Sequence, residues 1–258
     1  MEIHFHPLVT IVTPSFNQGQ FIEDTILSVL NQTYKNIQYI IVDGGSTDNT
    51  MEVVNKYADR IDIIIHEKDK GQSDAINKGF KLAKGELVGW LNSDDILYPD
   101  CVEKIVELYV NKPDGAIYHC SILDWINENG VFVDRKYASI PNKEYLLNYN
   151  RSIIQQGSFY PKKLVEKINY LDEKIYYCMD LELWLRLLNY GNIYSLNEKP
   201  FSAFRIHSGT KTDSGKIRFL RNIKSVILQN GAKWYSRNII IGFYYYSLKY
   251  YIKKVIYG

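Results

Sequence analysis

The chain has 258 residues, 46% of them hydrophobic, with 31 basic and 29 acidic side chains and a formal net charge of +2. That apolar content suffices for one large core, or a core with an appendage, and excludes a disordered chain. Cys101, Cys120 and Cys178 are widely spaced with no Cys-x-x-Cys pair, which excludes a zinc ribbon or disulfide framework and fits reduced thiols.

Residues 8–13 read as a buried strand, followed by the polar loop Thr13-Pro14-Ser15-Phe16-Asn17 and a helical pattern through Ile22, Ile26, Leu27 and Leu30. A second strand, 37–42, ends at Asp43. Gly44-Gly45-Ser46-Thr47-Asp48-Asn49-Thr50 then makes a glycine turn with capping residues before a helix carrying Met51, Val54 and Tyr57. This unit resembles a nucleotide-binding β-turn-α element, although the Gly-x-Gly-x-x-Gly of dinucleotide folds is absent. Residues 61–65 form a third strand, and the following helix turns Ala75, Phe80 and Leu82 inward. The fourth strand, 87–91, runs into Asn92-Ser93-Asp94-Asp95, with Pro99 suited to the first turn of the next helix.

Strands alternating with helices at this spacing predict an α/β domain with a mostly parallel sheet flanked by helices. Ligands of such sheets bind at the C-terminal strand ends, and Asp43 and Asp94-Asp95 fall on that edge. One of two adjacent carboxylates can hold a hard divalent cation on a diphosphate while the other accepts from a hydroxyl; the plain alternative is a helix cap.

The pattern becomes mixed after the turn cluster 111–115. Residues 116–126 and 131–136, joined by Asn127-Glu128-Asn129-Gly130, predict a hairpin. A helix at 144–149, a strand at 157–160 and a helix from Pro161 follow. The helix 179–188 has Asp180 in its first turn beside an almost wholly apolar barrel, so its carboxylate is expected to be partly desolvated.

Over residues 7–207 the chain resembles the family 2 glycosyltransferases, inverting enzymes of the GT-A fold. The resemblance rests on Val9-Thr10-Ile11-Val12-Thr13-Pro14-Ser15-Phe16-Asn17, Val42-Asp43-Gly44-Gly45-Ser46-Thr47-Asp48, Gly71-Gln72-Ser73-Asp74-Ala75-Ile76-Asn77-Lys78-Gly79, Asn92-Ser93-Asp94-Asp95 and Met179-Asp180-Leu181-Glu182-Leu183-Trp184-Leu185-Arg186. It implies that Thr13, Pro14 and Asp43 shape the nucleotide-base pocket, with Asp43 accepting from a uracil N–H. Asp74 sits near base or ribose, or caps its helix. Asp94 contacts ribose or donor hydroxyls, and Asp95 ligates Mg²⁺ or Mn²⁺ on the diphosphate. Asp180 matches the catalytic base, its pKa raised by burial, or is simply an acid favoured by the helix dipole; Glu182 is the substitute. Gln155, Gln156 and Trp184 fall on the acceptor side, where a plain strand start is the alternative for the glutamines. His207 approaches the metal or diphosphate, or is solvated, and 208–215 suits a lid. Many relatives carry another Asp where this chain has Asn92, which leaves the remaining metal ligands open.

Within the resemblance, 1–112 forms the nucleotide-binding half and 113–215 the acceptor half of one domain. The helical segment 216–258 lies outside it. That segment holds nine Lys or Arg and no Asp or Glu, against 31 − 9 = 22 basic and 29 acidic residues before it. Basic residues interleaved with Trp234, Tyr235 and the tyrosines from Tyr244 onward suit a membrane surface, or helices packed on the body or a second subunit of a homodimer. No nucleic-acid module is apparent. No signal peptide or membrane-spanning run is expected, so the predicted location is cytoplasmic, peripheral to the inner membrane face. The function implied is transfer of a sugar from a UDP-sugar to a glycan or lipid-linked glycan acceptor in surface polysaccharide synthesis. Two alternatives are a non-catalytic nucleotide-sugar binding module and a sugar nucleotidyltransferase; the latter would want a glycine-rich basic loop after the first strand.

Overall fold

Apolar runs buried on both faces set the centre of the molecule, seen here in a computed structural model that describes residues 6–207 and 211–248, the side chains of 211–216 excepted. In chain order the first half is β1 (Val9–Ser15), α1 (Ile22–Leu30), β2 (Ile37–Asp43), α2 (Thr50–Asn55), β3 (Ile63–His66), α3 (Gln72–Leu82), β4 (Leu87–Trp90), β5 (Ile96–Leu97) and α4 (Cys101–Asn111). The second comprises β6 (Gly115–Cys120), β7 (Ile122–Ile126), β8 (Phe132–Tyr137), α5 (Lys143–Asn148), β9 (Phe159–Pro161), α6 (Lys162–Lys167), α7 (Met179–Leu187), β10 (Asn192–Leu196), β11 (Ser202–Arg205), α8 (Lys211–Gln229) and α9 (Arg237–Ile239), which continues into a π-helical stretch, Ile240–Tyr245.

A seven-stranded sheet has the order β10-β6-β9-β4-β1-β2-β3. β1, β2, β3 and β4 pair in parallel, as do β6 and β10, while β9 runs antiparallel between β4 and β6. The sheet therefore crosses the expected division at residue 112 without a break. Side-chain alternation along β2 feeds two cores: Ile40 and Val42 pack with α3 and α7, Tyr39 and Ile41 with α1, α2 and α4. A second sheet, β5-β11-β7-β8, carries the hairpin.

Three expectations change. Residues 116–126 are two strands in different sheets: the chain turns at Ser121, whose N–H and hydroxyl both donate to the Leu196 carbonyl at 2.8 Å. Leu82 is 43% exposed, because α3 ends there; of the three expected inward residues Ala75 and Phe80 reach the core. Of the expected lid, residues 208–210 lie outside the described residues, and Lys211 already begins α8.

From residue 217 to 248 the chain joins the body. Ile223, Val226, Ile227 and Ile239 belong to the same core cluster as Leu183 and Trp184 of α7. Among the described residues no helix is long and apolar enough to cross a membrane, and all three cysteines are free.

Candidate active site

Register brings the strand ends together, since Ser15 of β1 pairs with Asp43 of β2 and Asp43 with His66 of β3. The wholly buried Asp43 carboxylate accepts from the Gly45 and Ser46 N–H groups at 3.0 and 2.8 Å and from the Ser46 hydroxyl at 2.5 Å, and His66 Nδ1 lies 2.7 Å away. Gly45 supplies the turn with φ of +86°, which only glycine adopts freely. Thr13 Oγ1 meets the Tyr39 hydroxyl at 3.1 Å, and Pro14 is buried in β1 opposite Val42. The buried Ser15 Oγ, on the same strand end, has no partner among the described residues. A buried hydroxyl left unpaired is costly, so at a strand-end rim it is a group that a ligand can satisfy.

The two carboxylates after β4 part company. The Asp95 N–H closes a turn on the Asn92 carbonyl at 3.1 Å. Its side chain is wholly buried and accepts from Asn92 Nδ2 (3.0 Å), Gln156 Nε2 (2.8 Å) and the Arg205 N–H (3.2 Å). Burial, and then the neighbouring Asp94 charge, push the Asp95 pKa well above the usual carboxylate range, against the pull of those donors. Asp94 faces the other way, its Oδ2 2.9 Å from His207 Nε2. The expectation put Asp95 on the cation and Asp94 on a hydroxyl; with Asp95 turned inward onto three protein donors, Asp94 is the carboxylate beside His207.

Arg205 holds this loop. Although 1% exposed, its guanidinium donates to the Asp94 carbonyl (3.0 Å), the Glu128 carbonyl (2.9 Å) and Asp24 (2.8 Å). It also lies over the Phe21 ring, 5.2 Å from the centroid, and that ring contacts His207 at 4.6 Å.

Hydrogen bonds connect this rim to α7. Gln72 Nε2 donates to Asn92 Oδ1 at 2.7 Å, and the next residue, Ser73, donates to Met179 Sδ at 2.9 Å. Asp180 follows Met179, half-buried, its Oδ1 accepting from the Leu181 N–H at 2.8 Å. Lys136 of β8 lies in its field: burial lowers the lysine pKa and the Asp180 charge partly offsets this, while Nζ donates to the Ile153 carbonyl at 3.1 Å. Glu182 is committed elsewhere, in a paired contact with Arg186 at 2.5 and 2.6 Å.

The other expected residues take supporting positions. Asp74 accepts from the Lys70 N–H at 3.0 Å, a capping bond before α3. Gln155, buried, donates to the Trp90 carbonyl at 2.7 Å, so it braces the end of β4 as Gln156 braces Asp95. Trp184 is wholly buried, its indole N–H bonded to the Tyr160 hydroxyl at 2.8 Å. It is a core residue of α7 and not part of an acceptor surface, because the apolar barrel of that helix is enclosed on all sides. His66, Ser15 and Arg205 are additions. For His66 the signal was its place at the end of the third strand, matching Asp43 at the end of the second.

Comparison with known proteins identifies the family. The family description "Glycosyl transferase family 2" matches residues 10–168. An uncharacterised glycosyltransferase of Rickettsia typhi is 31% identical over 81% of this chain and 67% of its own length. The Escherichia coli UDP-Glc:alpha-D-GlcNAc-diphosphoundecaprenol beta-1,3-glucosyltransferase WfaP is 29% identical over 95% of each chain. Among solved structures, Staphylococcus aureus TarS 1-349 in complex with UDP-GlcNAc superposes with a TM-score of 0.66 at 17% identity, over 87% of this chain and 68% of that one. The Pyrobaculum calidifontis mannosyltransferase PcManGT in complex with GDP-Man and Mn²⁺ gives 0.68 at 14%, over 95% and 70%. With the GT-A architecture and a family match over residues 10–168, the chain belongs to glycosyl transferase family 2 and is a glycosyltransferase.

Proposed function

We propose that the protein is an inverting, metal-dependent glycosyltransferase that moves a sugar from a UDP-linked donor to a hydroxyl of a growing glycan in surface polysaccharide synthesis. The observation that carries this reading is the 2.9 Å separation of Asp94 Oδ2 and His207 Nε2. The two share a hydrogen bond here; adjacent ligands of an octahedral ion with bonds of about 2.1 Å lie about 3.0 Å apart, so a cation replacing that proton would find the pair suitably spaced for two neighbouring positions. Among the described residues no three His, Cys, Asp or Glu side chains form a metal cluster, so on this reading the diphosphate oxygens would have to supply further ligands. An oxygen and an imidazole nitrogen suit Mn²⁺ or Mg²⁺. Such a cation supplies positive charge that steadies the departing diphosphate.

The protein's own groups divide the remaining work. Asp43, with Thr13, Pro14 and Ser15 on the adjoining strand, frames the base and ribose. Asp95 stays inside and fixes the loop that presents Asp94. Asp180 takes the proton from the acceptor hydroxyl as its oxygen bonds to the anomeric carbon and the bond to the diphosphate breaks. Attack opposite the leaving group inverts an α-linked donor to a β-linked product. A lipid-linked acceptor, the kind in the name of the E. coli relative, would place the enzyme at the cytoplasmic membrane face, with the C-terminal segment as its attachment.

Incubation with a panel of nucleotide sugars, with and without Mn²⁺, tests the reading. Metal-stimulated release of UDP from one UDP-sugar is the expected result. Intact UDP binding with no donor consumed across the panel would instead indicate a non-catalytic binding module.

A further inference from the structure

The C-terminal helix presents its apolar stripe to solvent. Ile240, Ile241, Tyr244, Tyr245 and Leu248 recur at one-face spacing and are all exposed, and Trp234 just before them is 76% exposed. Arg237 opens the same stripe, Lys233 adjoins Trp234, and both are exposed. The helix cannot turn this face inward. On its opposite side Asn238 Nδ2 donates to the Leu146 and Leu147 carbonyls, both at 2.8 Å, and Arg151 Nη2 donates to the Gly242 carbonyl at 2.7 Å. A Cβ at Gly242 would fall 1.6 Å from Arg151 Nη1, so a side chain there would push the guanidinium aside.

We propose that this stripe is a docking surface for an anionic lipid bilayer. Trp and Tyr rings with polar tips suit the depth of the headgroups, Ile and Leu the acyl boundary beneath, and exposed Lys and Arg the anionic lipid. Charge argues against a second copy of the chain as the occupant. An isologous dimer through this face would set the basic stretch against itself, and from Lys216 onward there is no Asp or Glu to compensate. The helix is also linked to the region of Asp180, because α8 packs on both α7 and the π-helical stretch and the Phe219 ring of α8 lies 6.0 Å from that of Tyr177, three residues before Asp180. The lipid contact rests on the lipid-linked acceptor reading for its use but not for its geometry.

Flotation of the full chain with vesicles tests it, using phosphatidylcholine with and without phosphatidylglycerol. The parent should float with the anionic vesicles. A triple variant, Ile240→Ser, Ile241→Ser and Tyr244→Ser, should bind at least about tenfold more weakly, in line with the removal of several apolar contacts, while UDP binding and the circular dichroism spectrum stay unchanged. A second variant, Lys233→Glu with Arg237→Glu, should lose the preference for anionic over zwitterionic vesicles. Equal flotation of parent and triple variant overturns the assignment, as does a sedimentation dimer that the triple variant abolishes without any vesicle binding by the parent. Failure of the donor panel together with normal flotation would remove the transferase reading and leave the surface intact.

Discussion

The His207 imidazole and the Asp94 carboxylate lie 2.9 Å apart although 113 residues separate them in the chain. Neither position makes this contact through its own secondary structure. Asp94 reaches it from the loop after β4, and His207 from two residues beyond β11. If the pair shares a cation, His207→Ala and Asp94→Ala should each weaken Mn²⁺-stimulated UDP binding by at least about 10–100-fold, the range for loss of even an outer partner of a metal site. Asp95→Asn should weaken it far less. Calorimetry with and without Mn²⁺ separates the two carboxylates, and loss with Asp95→Asn alone would return the ligand role to Asp95.

Ser15 gives an opposed pair of effects. Its buried hydroxyl lacks a partner among the described residues, so Ser15→Ala should leave stability unchanged or slightly raised. If the hydroxyl meets the nucleotide, the same change removes one hydrogen bond, about 0.5–1.5 kcal/mol, and weakens UDP binding about two- to tenfold. Unchanged affinity with raised stability would make Ser15 a bystander of the pocket.

Arg205 should behave as a positioning residue. Arg205→Lys keeps a charge but not the fork that joins the Asp94 carbonyl, the Glu128 carbonyl and Asp24. The Mn²⁺ concentration giving half-maximal UDP binding should rise about 10–100-fold in a chain that remains folded. Arg205→Met leaves the two backbone carbonyls without this donor, while Asp24 is exposed to solvent, and should destabilise by about 1–3 kcal/mol. A lower melting temperature with an unmoved Mn²⁺ requirement would mean that Arg205 supports only the fold.

The first four strands were legible because strands buried on both faces read as unbroken apolar runs, and Asp43 stood out at the end of one. The division of labour between Asp94 and Asp95 was not, since it depends on one backbone bond, Asp95 N–H to the Asn92 carbonyl. Arg205 was silent for another reason: its partners come from α1, the Asp94 loop and the hairpin turn, and no local spacing marks them. β10 and β11 escaped notice because they are short, and β10 is half exposed, without the alternation that separates a strand from a loop.

Asp180 lies beside Met179, which Ser73 ties to the nucleotide-side helix α3. Asp180→Asn keeps size and most hydrogen bonding but cannot accept the acceptor's proton. Turnover should fall by about 10²–10⁴ with donor affinity retained. Single-turnover assays paired with UDP-sugar titration give both quantities. Since Glu182 is held by Arg186, Glu182→Gln should chiefly lower stability, and a larger loss of turnover there than at Asp180 would move the base to Glu182.

His119 is expected to contribute to the acid limb of the stability profile. It is wholly buried on β6 against Trp184, ring centroids 5.0 Å apart; Nδ1 is 3.0 Å from the Cys120 carbonyl, and Nε2 has no partner among the described residues. Burial holds its pKa down to about 4, against 6.5 ordinarily, with the carbonyl contact pulling the other way. Between those values the unfolded chain binds the proton and the fold does not, so stability falls as pH drops from about 6.5 toward about 4, by about 3 kcal/mol. His119→Phe keeps a ring against Trp184 and removes the titrating group. Urea midpoints measured at about pH 7 and pH 5 should converge in this variant relative to the parent; an equally steep acid limb in both would assign the effect to other groups.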